Sequence, residues 1–173
     1  MTTATTKNAK PARKSPAKSA TKAAGPDAVS LLMDDHKKVK KLFKEYEKLA
    51  KKDDIEGKVD VALQICEELT VHATIEEEIF YPAARAAIKD DDLLNEAEVE
   101  HATAKDLIAQ IEQMSGDDPM YDAKVKVLSE YIDHHVTEEE DEMFLKAKKA
   151  KMDMAGLAVE MIERKEELMM AMA

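Results

Sequence analysis

Six residues of this chain have the types and spacing to gather metal ions: His36, His72, Glu76, His101, His135 and Glu139. Two of the histidines are each followed four residues later by a glutamate, His72 by Glu76 and His135 by Glu139. An α-helix turns once in about 3.6 residues, so a His and a Glu four apart project from one face, one turn from each other. Four imidazoles and two carboxylates converging from four helices would make a pocket rich in nitrogen and oxygen. That donor set suits a pair of iron ions, although mixed His and carboxylate ligands also suit manganese or zinc.

The elements that must position these residues read as helices. Only 4 glycines and 5 prolines stand against 36% charged residues, which favours long helices over strands and turns. A first helix starts at the Gly25-Pro26-Asp27 break, with Asp27 as its cap, and runs to about Lys52. His36 lies in its apolar series Val29, Leu32, Val39, Phe43 and Tyr46. The second helix covers about Glu56 to Tyr81; Pro82 cannot donate its backbone hydrogen bond, so a break or kink is expected there, with a short continuation to Ile88. Asp90-Asp91-Asp92 caps a third helix, about Leu93 to Met114, whose apolar stripe includes His101. Ser115 to Pro119 is the clearest loop. A fourth helix, about Met120 to Ala150, aligns Leu128, Ile132, His135, Glu139 and Met143, and a last helix spans about Asp153 to Met170. The expected fold is all-α: an antiparallel four-helix bundle over residues 27–150, an additional C-terminal helix in 151–173 packing outside it, and a disordered basic tail over 1–26.

Phase carries the metal assignment. A lone histidine on an apolar stripe is more often a satisfied core residue than a ligand. Here four fall on the inward stripes of four helices, and two bring a carboxylate with them. Burying Glu76 and Glu139 among Ile, Val and Leu is costly without a compensating cation. His134 competes with His135, because Glu138 stands four residues after it. The apolar phase selects His135, leaving His134 exposed or in an outer position. Glu98 and His101 form one Glu-x-x-His pair of the ferritin-like kind, but that fold needs two such pairs. Cys66 reads as a small core residue, and Phe43, Phe80 and Phe144 as either walls of the pocket or ordinary core.

The order His, His-x-x-x-Glu, His, His-x-x-x-Glu resembles the hemerythrin family, in the branch named for its HHE cation-binding motifs. The segment His72-Ala-Thr-Ile-Glu76-Glu77-Glu78-Ile79-Phe80-Tyr81-Pro82 is similar to that family's His-x-x-x-Glu-Glu run ending in Leu/Ile-Phe-Pro. His135 to Phe144 repeats it, with Leu145 where Pro would be. The resemblance covers about residues 27–150. It implies a di-iron centre of two Fe ions joined by an oxo or hydroxo group and bridged by Glu76 and Glu139. His36 and His72 would serve one iron, His101 and His135 the other. Oxygen-carrying members have a further His one turn after the third-helix ligand, where this chain has Lys105, either leaving a position open to water, peroxide or nitric oxide or simply snorkelling to solvent.

Composition bounds the function classes. The net charge is -11, yet the tail holds six basic residues and no acid, so the body is strongly acidic. Such a body is a poor nucleic-acid binder, and weak nonspecific contact would have to come from the tail. One cysteine fits a reducing compartment. No apolar run approaches the roughly 20 residues that span a bilayer, and the N-terminal segment has no apolar signal core. The expectation is a cytoplasmic protein that binds or processes O2, hydrogen peroxide or nitric oxide, with peroxide decomposition the simplest turnover. The alternatives are a non-catalytic iron or oxygen sensor, an iron-binding protein, a protein akin to those that repair iron–sulfur centres, and a metal-free scaffold.

Overall fold

The computed structural model describes Met1 and residues 25–173; the expected tail lies outside the described residues apart from its ends. Every described element is helical, in the order α1 (Ala28–Ala50), α2 (Ile55–Ile75), a π-helical turn (Glu76–Phe80), α3 (Tyr81–Ile88), α4 (Asp91–Glu112), α5 (Tyr121–Glu138), a second π-helical turn (Glu139–Met143), α6 (Phe144–Lys149) and α7 (Met154–Met172).

Aspartate begins most of these helices. Asp27, Asp54, Asp90 and Asp153 accept the backbone N–H of Ser30, Gly57, Leu93 and Gly156 at 3.0, 3.0, 3.3 and 3.0 Å. Each satisfies a donor that the first turn leaves unpaired. Short connections fold α1 against α2 and α4 against α5, giving the antiparallel bundle expected from the sequence. Lys89 turns the chain from α3 to α4 with a φ of 58°, and Lys151 turns it towards α7 with a φ of 56°. The fifth long helix, α7, packs outside against α1, α2 and the first π turn.

Pro82 does not break the second helix. It falls in the first turn of α3, where a missing N–H costs least, directly after the π turn. The fourth helix likewise runs unbroken through the second π turn into α6. Each π turn begins on a glutamate of the candidate site and widens the helix there by one residue, a place where such turns often accompany function.

Two apolar clusters fill the bundle. One, with Phe43, Ile65, Leu69, Ile108, Val125 and Leu128, occupies the end that holds the α4–α5 loop. The other, with Leu32, Ile75, Phe80, Leu94, Phe144 and Met161, occupies the opposite end and includes the seat of α7. The candidate metal residues lie between them. No described helix is long and apolar enough to cross a membrane.

Candidate metal centre

All six candidate residues meet in this middle layer, each at most 7% exposed. They form two imidazole pairs, His36 Nε2 with His72 Nε2 and His101 Nε2 with His135 Nε2, each at 3.1 Å. Glu76 reaches across both pairs: Oε1 lies 3.2 Å from His72 Nε2 and Oε2 lies 3.3 Å from His101 Nε2. Glu139 does the same from the opposite side, with Oε2 3.3 Å from His36 Nε2 and 3.5 Å from His135 Nε2. His134 is 61% exposed, as the phase of its helix requires.

Each imidazole is held from behind by a carboxylate. His36 Nδ1 pairs with Glu140 at 2.9 Å, His72 Nδ1 with Asp35 at 3.4 Å, His101 Nδ1 with Glu77 at 2.9 Å and His135 Nδ1 with Glu100 at 2.6 Å. A carboxylate at Nδ1 keeps the proton there and turns the Nε2 lone pair inward, the arrangement of metal-bound histidines. These four outer acids escape a reading that looks only for inward residues. The signal was present nonetheless: an acid directly precedes His36 and His101, and another directly follows Glu76 and Glu139.

The pattern is a pseudo-two-fold. Asp35-His36 matches Glu100-His101, and His72 to Glu77 matches His135 to Glu140. The glutamate that follows each inward Glu crosses to the histidine of the other half. The backbone obeys the same symmetry, since Tyr81 N–H donates to the Glu76 carbonyl and Phe144 N–H to the Glu139 carbonyl. Tyr81 lies over His101 with ring centroids 5.2 Å apart, and Phe144 over His36 at 5.8 Å.

One oxygen breaks the match. The Tyr81 hydroxyl donates to Glu139 Oε1 at 2.7 Å and stands 3.1 Å from His101 Nε2. Phe144 has nothing to offer Glu76. Both oxygens of Glu76, and Oε2 of Glu139, are therefore buried without a hydrogen-bond partner. Tyr81 was not singled out from the sequence, because an aromatic beside Phe80 and Pro82 looks like packing.

Orphaned buried carboxylate oxygens facing inward imidazole nitrogens are the signature of a cation-binding cradle. The electrostatics agree. Burial pulls the His72 imidazole down, but Glu76 and Asp35 outweigh it and hold it up at about 10. Burial is likewise outweighed at His135 by Glu139 and Glu100, which hold it at about 9. Burial pushes the Glu76 carboxyl up, while His72 and His101 bring it well below the ordinary range. The carboxylates that raise these imidazoles are the same groups that would favour a cation at the centre. Two groups that could hold a metal overlap here, His36, His72, Glu76 and Glu139 in one, Glu76, His101 and His135 in the other.

Around the centre the walls are unlike. Phe80 and Phe144 pack edge to face at 5.7 Å on the side towards α7. On the other side a cavity of about 30 Å³ lies beneath the four imidazoles, lined by Val39, Leu69, Ala104, Ile108 and Ile132. Phe43 belongs to the same apolar cluster as these lining residues but does not itself line the cavity. Lys105 does not simply extend into water: its Nζ pairs with Glu77 at 2.6 and 2.7 Å, behind His101. Glu98 pairs with Arg85 at 2.8 Å and takes no part in the centre. Cys66 is buried in that same cluster and does not line the cavity, its thiol pushed up to about 12 by burial.

This chain is similar to known proteins. A chain from Nostoc sp. (strain PCC 7120) described as a DNA nickase is 34% identical over 110 residues, which cover 64% of this chain and 30% of that one. This chain thus spans under a third of that relative's length. The crystal structure of a hemerythrin HHE cation binding domain-containing protein from Mycobacterium kansasii shares the fold, with a TM-score of 0.66 at 23% identity, over 83% of this chain and 88% of that one. The family model for the hemerythrin HHE cation binding domain matches residues 27–147, the stretch that carries every residue of the candidate centre. The chain therefore belongs to the hemerythrin HHE cation-binding family.

Proposed function

We propose that this chain is a non-heme iron protein that holds two iron ions and uses them to bind or process O2, hydrogen peroxide or nitric oxide. The observation that carries this reading is the set of orphaned buried oxygens on Glu76 and Glu139, which face four carboxylate-backed imidazoles. In this reading His36 and His72 would hold one ion and His101 and His135 the other, with Glu76 and Glu139 serving both. The wide reach of each glutamate across the two histidine pairs supports the bridging role. Bound iron would supply one-electron exchange with the small molecule. The chain supplies the rest: Asp35, Glu77, Glu100 and Glu140 orient the imidazoles, Phe80 and Phe144 exclude water, and Tyr81 places a hydroxyl proton beside Glu139. The apolar cavity of about 30 Å³ exceeds the roughly 10–15 Å³ that one water centre needs. It suits a diatomic gas or a peroxide and no larger substrate.

The deciding experiment is metal analysis of protein purified without chelators or added metal. Two irons per chain are expected. One zinc, or no metal in a well-folded protein, would return the chain to the scaffold reading.

A second reading, a sensor without turnover, is favoured by the link between α7 and the centre. Lys165 of α7 pairs with Asp35, which holds His72, and Arg164 grips Glu78 of the first π turn at 2.7 and 3.1 Å. Nucleic-acid contact through residues 1–26 would fit that role and the name of the Nostoc relative. Measurable consumption of hydrogen peroxide by the iron-loaded protein would exclude it.

A further inference from the structure

The two halves of the pseudo-two-fold differ most on the outer face of the centre. In the first half the residues just before His72 and Glu76 are Val71 and Ile75, both buried, and α7 packs on that helix. In the second half the matching residues are His134 and Glu138. No described helix covers them: their side chains are 61% and 32% exposed. The outer acids differ in the same way. Asp35 is paired with Lys165 of α7, whereas Glu100 has no lysine or arginine among its described partners.

Glu100 faces both ways. Its Oε2 holds His135 Nδ1 at 2.6 Å, and its Oε1 points outward to His134 Nε2 at 3.6 Å. Glu138 Oε1 stands 3.4 Å from the same nitrogen. The Glu100 side chain is only 9% exposed, and Oε1 has no hydrogen bond from a described residue. Both contacts of His134 Nε2 are ion-pair contacts, and neither has the geometry of a hydrogen bond. Donors at about 2.1 Å around a tetrahedral cation stand about 3.4 Å apart, which is the spacing seen. Glu100, His134 and Glu138 thus form a group able to hold an ion.

Behind this group lies a cavity of about 10 Å³, lined by Glu100, Glu138, His135, Glu139 and Met143. It joins the outer carboxylates to two residues of the buried centre, with room for about one water-sized solute. We infer that Glu100, His134 and Glu138 are an outer site for a divalent transition-metal ion, through which the buried centre is loaded by way of Glu100. Two carboxylates and one imidazole select a borderline cation such as Fe²⁺, Co²⁺ or Zn²⁺ over Mg²⁺ or Ca²⁺. The loading role rests on the proposed buried centre; the outer site itself does not.

The test is Co²⁺ binding to the metal-free protein of residues 1–173, comparing wild type with the double variant His134→Ala/Glu138→Gln. Both substitutions are at solvent-accessible positions outside the buried centre. Equilibrium dialysis should give three Co²⁺ per wild-type chain and two per variant chain. Stopped-flow absorbance should show the variant filling the buried centre about tenfold more slowly, the loss expected when an acidic capture site is removed. Equal stoichiometry and equal loading rates in the two proteins would overturn the inference. If the buried centre takes no Co²⁺ in either protein, the proposed function fails. One ion bound by wild type and none by the variant would then still establish the outer site.

Discussion

Tyr81→Phe removes one oxygen from the centre, and the structure fixes what that oxygen does. It is the donor to Glu139 Oε1, at 2.7 Å, and the other oxygen of Glu139 has no partner. A hydrogen bond to a charged group contributes about 1.5–3 kcal/mol net. Glu139 is 1% exposed, so no water replaces the hydroxyl and the loss belongs at the top of that range, about 3 kcal/mol. In a domain of this size 1 kcal/mol moves Tm by about 2–4 °C, so the metal-free variant should melt about 6–12 °C lower. Packing is not disturbed, because Phe144 already fills the matching place in the other half. In the metal-loaded protein a cation takes over the role of the missing donor, and the loss should fall to about half, about 1.5 kcal/mol. Linkage then requires the difference to reappear in binding: the variant should hold metal about tenfold more tightly than wild type. Urea unfolding of metal-free and Co²⁺-loaded protein measures both losses, and competition with a chelator measures the affinity. A metal-free loss below about 0.5 kcal/mol, or equal losses with and without metal, would refute the argument that Tyr81 stands in for a cation at Glu139.

The outer acids and the protons of the centre give two further predictions. Glu140→Gln keeps an acceptor 2.9 Å from His36 Nδ1 but removes its charge, and metal affinity should drop about 10–100-fold, as read by calorimetry; an unchanged affinity would show that the outer acids serve only as packing. His72 and His135 sit at about 10 and about 9 in the metal-free fold, above their unfolded value. Their contribution to stability is therefore full below about pH 6.5 and is lost as the pH rises through 9 to 10. Metal-free protein should lose stability across that window by up to about 1.4 kcal/mol per pH unit for each imidazole. Metal-loaded protein, whose imidazoles have exchanged that proton for a metal, should instead gain from pH 6 to 8. Parallel stability profiles for the two forms would show that metal and protons do not compete for these nitrogens.

The fold was legible because helices announce themselves locally. Asp27 and Asp90 mark helix starts by chemistry that acts within three residues, and the stripes through His36, His101 and His135 fix which face turns inward. That the six central residues face inward followed from their spacing and phase. What escaped depends on neighbours brought close by the bundle. Glu77 and Glu140 look like solvated charges on their own helices, and only the approach of another helix gives them a histidine. The π turns change the count by a single residue, which periodicity over so short a stretch cannot detect. The break or kink expected at Pro82 rested on its missing N–H, which costs little because the residue falls in the first turn of α3.

Each half of this bundle lends a glutamate to a histidine of the other, and such reciprocal exchange is what two copies of one helical hairpin would make around a two-fold axis. A homodimer of that kind could assemble the whole centre, but its two ends would have to be identical. Any tyrosine placed on one side would appear on the other, and a covering helix would cover both faces or neither. Carrying both hairpins on one polypeptide lifts that constraint. Tyr81 opposite Phe144, Val71 opposite His134 and α7 on a single face are differences that only a fused chain can keep, and they give the centre a sheltered end and an accessible one.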